Sequence, residues 1–478
     1  MGQNMISYIY GNVTGTKNKE GNDTSGNVTK IIYTQREEKR MKKRLVSLML
    51  CASMLAATLA GCGGKTAETP AAEATAEASS AEGGQVYWLN FKPEADEALQ
   101  QIAASYTEQT GVSVKVVTAA SGNYESTLTA EMDKSNAPTL FVVGNQAAVN
   151  TWGDYCLDLK GTDIYNELTT DDFTLYDENG KACSIGYCYE SFGIITNKKL
   201  LAEAGYSLED ITDFDSLKKI ADDIHARSAE LGFDAFTSSG MDDSSSWRFS
   251  GHLANMPLYY EAKADNWTEC PAEIKGTYLD LYKNIWDLYI TDAKADPATL
   301  ATGGFDAEAE FKNGEAVFFQ NGTWEYGALS EAWTDDDLAM IPIYCGAEGE
   351  EKAGLCSGTE NCWAVNKNAS EADIKATIDF MTWLVTSEEG TKMMAEQFGE
   401  IPYKNAAENP NVFFKYAKQY IDEGKYVVDW TFNYTPNVKD WRAGVVAAMN
   451  QYNAGGSWDN VVTAFVAGWA TQYKAANE

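Results

Sequence analysis

The chain has 478 residues, with 37 Lys and Arg against 70 Asp and Glu, and a formal net charge of -33 at pH 7. This excess of acid disfavours nucleic acid and anionic membrane surfaces as partners, because both require clustered positive charge. Only two histidines occur, His225 and His252, and the sequence contains neither a GxSxG nor an HExxH motif. Histidine-dependent nucleophilic or metal catalysis is therefore not expected, and both histidines are interpreted as structural or surface residues.

Residues 41–62 have the three-part pattern of a secretory signal. Three cations precede an uncharged apolar core over 45–59, and small residues then lead to Cys62. The apolar core is about 15 residues long, shorter than the roughly 20 that span a bilayer, so cleavage is favoured over a permanent membrane helix. The ending LAGC resembles a bacterial lipobox, which implies cleavage before Cys62 and a diacylglycerol on its sulfur. An ordinary signal peptide with an incidental cysteine is the alternative.

The segments on either side of this signal are not expected to fold. Residues 1–40 are polar and lack apolar periodicity, and they fit poorly before a signal peptide, so we interpret them as a disordered, non-native upstream extension. Met41 is then the expected start of the natural protein. Residues 62–84 are rich in Ala, Glu and Gly, which predicts a flexible linker between the lipid and the folded body.

Strand and helix patterns alternate at the start of that body. Strands are predicted over 85–91, 112–116 and 139–143, with helices over 93–109 and 124–134 between them. This order predicts a parallel, doubly wound α/β sheet.

Ligands of such sheets bind beyond the carboxyl ends of the strands. The polar residues that follow the predicted strands are therefore candidate ligand-binding residues: Asn90, Lys92, Asn145 and Gln146.

The rest of the chain is predicted to be mostly helical. The predicted helices are 208–230, 273–289, 371–398, 412–423 and 440–452, and the predicted strands are 193–196, 316–320 and 363–366. This length exceeds one typical domain, so two lobes that share a cleft are expected. The sequence shows no repeat and no sustained heptad, and a monomer is expected.

The cysteines favour neither a disulfide framework nor a zinc site. Of the nine, Cys51 lies in the signal and Cys62 at the lipid position, which leaves an odd number and no CxxC pair. Cys183 and Cys188 have a spacing that permits a bridge across a hairpin, and buried free thiols are the alternative.

Three further blocks occur in a characteristic order: YESFGIITNKKLL from Tyr189, FKNGEAVFFQNGTWEY from Phe311, and GTENCWAVNKN from Gly358, the last followed by GEIP at 399–402. Together they resemble the extracellular solute-binding proteins of carbohydrate ABC importers, the group that includes maltose-binding protein. The resemblance extends from residue 85 to the C-terminus.

It implies a two-lobed periplasmic-binding-protein-like α/β fold, with a mainly parallel sheet flanked by helices in each lobe and a ligand cleft at the hinge. Lobe one would be 85–190 plus 357–404, and lobe two 191–356 plus 405–478, with closure by hinge rotation.

A sugar site needs aromatic platforms for the apolar ring face and polar groups for the hydroxyl rim. The chain is rich in such rings, with 13 Trp and 26 Tyr. The resemblance places Trp324 and Trp441 at or near stacking positions, and Glu190 at a crossover where a carboxylate reaches hydroxyls. Further candidates are Asp243 and Trp247 in a cleft loop, and Glu360 and Trp363 near the return crossover.

A packed tryptophan or a solvated acid is the alternative at each of these positions. At the positions of Asn145 and Gln146 the family often has an acid, and this departure from the family pattern leaves the identity of the ligand open.

We therefore expect a lipid-anchored protein on the extracellular face of the cell membrane that binds a sugar or oligosaccharide for membrane permeases. It would be no enzyme and would need neither cofactor nor metal. The same fold with a polyamine, peptide or metal chelate is one alternative, and Lys92 in the cleft counts against a polyamine. Another is a surface glycoside hydrolase with Glu190 and Asp243 as its carboxylate pair. A receptor that presents sugar to a sensor kinase is the third.

Overall fold

The computed structural model describes residues 83–120 and 122–477. The upstream extension, the signal over 41–61, Cys62 and nearly all of the linker lie outside the described residues. Within the described ranges, no helix combines the length and the apolar character needed to cross a bilayer.

The strands of the described residues fall into two sheets. In chain order they are β1 (Gln85–Asn90), β2 (Ser113–Thr118), β3 (Leu140–Val142), β4 (Thr174–Tyr176), β5 (Ala182–Gly186), β6 (Glu190–Asn197), β7 (Asp234–Phe236), β8 (Ala316–Gly322), β9 (Leu338–Ile341), β10 (Ala353–Gly358), β11 (Cys362–Val365) and β12 (Tyr426–Asp429). The first sheet has the order β2-β1-β3-β11-β5-β4, and the second has the order β12-β10-β6-β8-β7 with β9 paired to β6.

Helices surround both sheets. The α-helices are Asp96–Thr110, Tyr124–Met132, Gln146–Trp152, Asp163–Asn166, Lys198–Glu203, Phe214–Ala226, Ser228–Leu231, Asn255–Asp265, Leu279–Thr291, Ala307–Lys312, Tyr326–Leu329, Glu371–Thr386, Glu388–Gln397, Val412–Asp422, Val438–Asn453 and Trp458–Asn477. A π-helix spans Arg248–Leu253, and short 3-10 turns include Thr323–Glu325 and Thr431–Tyr434.

The parallel arrangement predicted for the first strands is confirmed, and two further parallel pairs, β7 with β8 and β10 with β12, occur in the second sheet. Strand β1 pairs in parallel with β2 and β3. Strand β11 pairs antiparallel with both β3 and β5, because the chain returns from the second sheet and runs in the opposite direction. The second sheet is also mixed, since β6 pairs antiparallel with β8 and β10. The expectation of mainly parallel sheets is corrected to mixed sheets.

Each sheet has its own apolar core, and each therefore forms a lobe. In the first lobe, Trp88 and Trp363 meet edge to face at 5.8 Å, and Phe380 from helix Glu371–Thr386 covers Trp88. In the second lobe, Phe318 of β8 and Trp286 of helix Leu279–Thr291 lie in one continuous core cluster. Strand β6 is buried along its whole length, as expected for a central strand.

Helix Asp96–Thr110 illustrates how the sequence pattern produces the first lobe. Leu99, Ile102 and Tyr106 recur at helical spacing and are buried against the sheet, which accounts for the helix predicted over 93–109. The helix ends at Gly111, whose φ of 75° is a left-handed C-cap that glycine adopts without steric cost.

Other helix boundaries differ from the prediction. The predicted helix 371–398 is two helices, because Ser387 takes an extended conformation and its hydroxyl accepts a hydrogen bond from the Gly390 amide at 2.9 Å. The predicted helix 208–230 is likewise reduced to Phe214–Ala226 and Ser228–Leu231. The helices Asn255–Asp265 and Trp458–Asn477 were not predicted.

The chain passes between the lobes at neighbouring places. One crossover joins β5 to β6 through Tyr189, a second joins β10 to β11, and a third leaves the first lobe near Glu400. The backbones of Tyr189 and Glu400 exchange hydrogen bonds of 2.7 and 2.9 Å. A β-carbon at Gly399 would lie 1.9 Å from the Tyr189 carbonyl oxygen, so this close approach requires glycine. The crossovers therefore form one connected strip between the lobes.

The possible bridge between Cys183 and Cys188 is absent, and both are free, buried thiols. Cys183 lies instead near Cys156, and the hydrogen bond between these thiols lowers the pKa of Cys183 to about 7.

Candidate functional site: the cleft between the lobes

Lys92 reaches the cleft from the turn that follows β1. Asn90 shapes this turn, because its side-chain amide donates to the Lys92 carbonyl at 2.7 Å and its side-chain oxygen accepts from the Lys92 amide at 3.1 Å. The same amide group also donates to the Thr118 hydroxyl. Asn90 is fully buried, so it positions Lys92 and has no exposed surface for a ligand.

Lys92 and Glu190 form a buried ion pair where lobe one meets the crossover. Their side chains are 5% and 4% exposed, and Nζ donates to Oε1 at 2.8 Å. The other Glu190 oxygen accepts from the Asn361 amide at 2.6 Å, and Glu94 lies 3.3 Å from Nζ. Burial acts to lower the pKa of Lys92, but the Glu190 and Glu94 carboxylates outweigh it and raise that pKa. The lysine is therefore held charged within the protein.

Trp324 faces this pair from lobe two. It lies on the turn after β8, is half-buried, and has its ring centroid 5.7 Å from Lys92 Nζ. Trp247 lies 6.2 Å and His252 lies 5.3 Å from it, measured between ring centroids. We call Trp324, Trp247 and His252 the aromatic floor.

His252 is a cleft residue that the sequence did not reveal. Its ring stacks on Phe192 at 4.1 Å and meets Trp247 edge to face at 4.9 Å. Burial, together with nearby Arg442 and Arg248, lowers its pKa well below the usual value, so the imidazole is neutral. It lies on the π-helix Arg248–Leu253, a rare structure that often occurs at functional sites.

Arg442 is the second residue that sequence reasoning missed. Its guanidinium lies 5.7 Å from the Phe432 ring centroid and against Gly251, where a β-carbon would come within 2.7 Å of a guanidinium nitrogen. Burial lowers the pKa of Arg442, and the carboxylate of Glu360, from the return crossover, opposes this shift. Arg442 thus extends the lobe-two surface beyond the aromatic floor.

Two predicted lobe-one residues have other roles. The Asn145 side-chain oxygen caps helix Gln146–Trp152 by accepting from the Ala148 amide at 2.9 Å. Gln146 is exposed and donates to the Tyr176 carbonyl at 3.2 Å.

Glu360 and Asp243 lie near the line where the lobes meet. Glu360 is half-buried, and burial raises its pKa while Arg442 opposes that shift. Asp243 is exposed, and its carbonyl oxygen would lie 3.2 Å from a β-carbon built on Gly122 of lobe one.

The interpretations of Trp363 and Trp441 as ligand residues are corrected. Trp363 is fully buried between Trp88 and Tyr187, and it stacks on Tyr187 at 4.6 Å. Trp441 is 2% exposed, and its indole donates to the Phe465 carbonyl at 3.1 Å. Neither ring has a free face, so both contribute to the lobe cores.

Glu190 is poorly suited to proton transfer, since Lys92 and Asn361 occupy both of its oxygens. Among the described residues, no group of three or more His, Cys, Asp or Glu side chains is arranged to hold a metal ion.

Comparison with known proteins identifies relatives of this chain. The family model described as bacterial extracellular solute-binding protein matches residues 101–420. A maltotriose-binding protein of Pyrococcus abyssi is 22% identical over 349 residues, which cover 69% of this chain and 68% of the relative. A maltooligosaccharide ABC transporter solute-binding lipoprotein of Streptococcus pneumoniae is 22% identical over 410 residues, which cover 82% of this chain and 87% of the relative.

Solved structures support the same fold. The solute-binding protein RafE in complex with raffinose aligns with a TM-score of 0.64 at 16% identity, covering 82% of this chain and 100% of that chain. The fold is thus the two-lobed α/β fold of solute-binding proteins. Together with the match over residues 101–420, this likeness shows that the chain belongs to the family of bacterial extracellular solute-binding proteins.

Proposed function

We propose that the chain is the substrate-binding component of an ABC importer, which captures a sugar or oligosaccharide between its lobes and delivers it to membrane permeases. The observation that carries this proposal is the aromatic floor opposite the Lys92–Glu190 pair, in which Trp324 and Trp247 are half-buried and His252 is buried. Such rings stack on the apolar face of a sugar, and the surrounding charged and polar groups form hydrogen bonds with its hydroxyls. The names of both sugar-binding relatives also support this cargo.

Capture rather than cleavage fits the chemistry of the cleft. A glycoside hydrolase needs two carboxylates on either side of the scissile bond, and one of them must release and take up a proton. Glu190 is held by Lys92 and Asn361, and Asp243 is exposed. Glu190 and Asp243 are therefore poorly suited to act as the two catalytic carboxylates of a glycoside hydrolase.

The lobes would close by rotation about the crossover strip. We assign residues 85–190 plus 357–404 to lobe one, and 191–356 plus 405–478 to lobe two. The backbone hydrogen bonds between Tyr189 and Glu400 tie adjacent crossovers, so rotation would be concentrated in a few residues there.

Anchoring would follow from the N-terminal pattern. Signal cleavage after residue 61 and lipidation of Cys62 would attach the protein to the extracellular face of the cell membrane, with residues 62–84 as a linker and the body acting as a monomer. The name of the lipoprotein relative supports this reading. Mass spectrometry of the membrane fraction would find a diacylated Cys62, and recovery of unlipidated protein cleaved elsewhere would contradict the anchor.

A thermal-shift screen with mono- and oligosaccharides, polyamines and peptides tests the function. Because ligand binds only the folded state, a hundredfold excess over Kd should stabilise the protein by about 2.7 kcal/mol. Stabilisation by a polyamine or peptide alone would overturn the sugar cargo. Chromatography of the incubated oligosaccharides should show no cleavage products, and turnover would overturn the binding-protein role.

A further inference from the structure

We infer that the cleft selects a carbohydrate bearing an anionic oxygen group, such as the carboxylate of a uronic acid, and that Arg442 binds this group. The inference rests on the proposed function and narrows its substrate class.

The first support is that Arg442 has no polar partner among the residues that the structure describes. Three arginines occur in the described residues: Arg227, Arg248 and Arg442. Arg227 is on the surface and pairs with Asp223. Arg442 forms neither a hydrogen bond nor an ion pair with any described residue, and its Nε is buried without a partner.

An unpaired guanidinium in a partly buried position costs free energy unless something else neutralises it. The acid content of the chain makes the lack of a partner informative. With 70 Asp and Glu against 37 Lys and Arg, carboxylates outnumber the cations that could pair with them. Burial lowers the pKa of Arg442 and the Glu360 carboxylate opposes this shift, but the two side chains form no salt bridge among the described residues.

The second support is the location of Arg442. Phe432 lies 5.8 Å from His252, and His252 lies 5.3 Å from Trp324, measured between ring centroids. Arg442 lies beside Phe432, so ring contacts through the buried His252 and Phe432 connect Trp324 to the partly exposed Arg442 within lobe two. A sugar stacked on Trp324 would therefore extend its substituents, or its next ring, toward the guanidinium.

Gly251 makes this position possible. A β-carbon there would come within 2.7 Å of a guanidinium nitrogen, so the missing side chain leaves room for Arg442 against the π-helix.

The third support is the charge of lobe two at the cleft. The pKa of His252 is lowered by burial, by Arg442 and by Arg248, and no carboxylate opposes these effects. The pKa of Glu325, close to Arg248, is raised to about 8 by burial and by Glu308, so Glu325 is largely protonated at neutral pH. Arg248 also lies near the carboxylates of Asp242, Glu310 and Asp306, so the positive charge left unpaired on this surface is that of Arg442.

The cation on the opposite wall differs, since Lys92 is already neutralised by Glu190 at 2.8 Å. The charge available to a ligand is thus on lobe two. A guanidinium binds a carboxylate through two parallel charge-assisted hydrogen bonds, which are stronger than bonds to a neutral hydroxyl.

Isothermal titration calorimetry tests the inference. The probes are uronic-acid-containing oligosaccharides, the methyl esters of the same compounds, sulfated analogues and neutral analogues. The ester keeps the size of the acid and removes its charge. The acid should bind at least about tenfold more tightly than its ester, because a charge-assisted hydrogen bond is stronger than a neutral one.

Variants separate charge from shape. Arg442→Gln should abolish the preference for the acid over its ester, and Arg442→Lys should keep part of that preference. Arg227→Gln, on the surface, is the matched control and should leave the preference intact. Circular dichroism of each variant monitors folding, and Gly251→Ala, which displaces the guanidinium, gives an independent variant expected to weaken the same preference.

The outcomes distinguish this inference from the proposed function. Equal affinity for acid and ester, or a preference that survives in Arg442→Gln, overturns the inference and leaves sugar binding standing. A preference for the sulfated analogue that Arg442→Gln removes supports an anionic group other than a carboxylate. Failure of every carbohydrate to bind overturns both.

Discussion

The two walls of the cleft use their charged groups in different ways. On the lobe-one and crossover wall, Lys92 and Glu190 neutralise each other and Asn361 completes the hydrogen bonding. On the lobe-two wall, Arg442 and the His252 Nδ1 have no partner among the described residues. The first wall is thus largely satisfied by the protein itself, whereas the second has polar capacity left for a ligand. Changes to the first wall should act mainly on stability, and changes to the second mainly on binding.

The largest effect is expected from Lys92→Met. It leaves the buried Glu190 carboxylate without its counter-ion, which costs about 3–5 kcal/mol of unfolding free energy. Urea denaturation measures this loss. The double variant Lys92→Met/Glu190→Gln should recover much of the loss, and equal loss in both variants would show that the pair is not the cause.

Trp324→Ala should weaken ligand binding by about 2 kcal/mol, or some thirtyfold, because the sugar loses its stacking surface. Its effect on unfolding should be smaller, since Trp324 is only half-buried. Trp333→Ala is the control, as Trp333 is a half-buried lobe-two tryptophan whose indole donates to the Phe311 carbonyl. Unchanged affinity in Trp324→Ala would remove this ring from the site.

Glu325→Gln should change the pH dependence of stability. Burial raises the pKa of Glu325 from 4.5 to about 8, so the folded state retains a proton that the unfolded state has lost. The contribution of Glu325 to the free energy of unfolding therefore falls as pH rises from about 4.5 to 8. Relative to the unmodified protein, Glu325→Gln should be more stable by about 1–2 kcal/mol at pH 8 and by little at pH 4.5. Thermal unfolding of both proteins at pH 4.5 and pH 8 measures this difference. An equal change in Tm at the two pH values would contradict the raised pKa of Glu325 as its cause.

Asn145→Ala should cost about 1 kcal/mol of unfolding free energy through loss of the helix cap. Ligand affinity should stay within about twofold, because the Asn145 side-chain oxygen is used within lobe one. A larger loss of affinity than of stability would make Asn145 a ligand residue and would weaken the contrast between the walls.

Local patterns predicted much of lobe one. The spacing of Leu99, Ile102 and Tyr106 located the first helix, and the polar residues after the strands located Lys92 beside the cleft. The structure also brings Glu190, from a distant segment, onto Lys92.

Features that depend on tertiary packing were not predictable. A tryptophan pattern does not distinguish a stacking platform from a core residue, so Trp324 and Trp441 looked alike although only Trp324 has an exposed face. His252 and Arg442 matched no motif, and their roles arise from the π-helix and from the glycine beside the guanidinium. The break at Ser387 was missed because the apolar periodicity continues across it.

The most direct measurement is a crystal structure of the protein bound to the carbohydrate that gives the largest thermal shift. A sugar ring should lie over Trp324 between the lobes, with an anionic substituent within hydrogen-bond distance of Arg442 and the Lys92–Glu190 pair still intact. A ligand bound outside the cleft, or bound there without contact to Trp324, would contradict the assignment of lobe two as the binding wall.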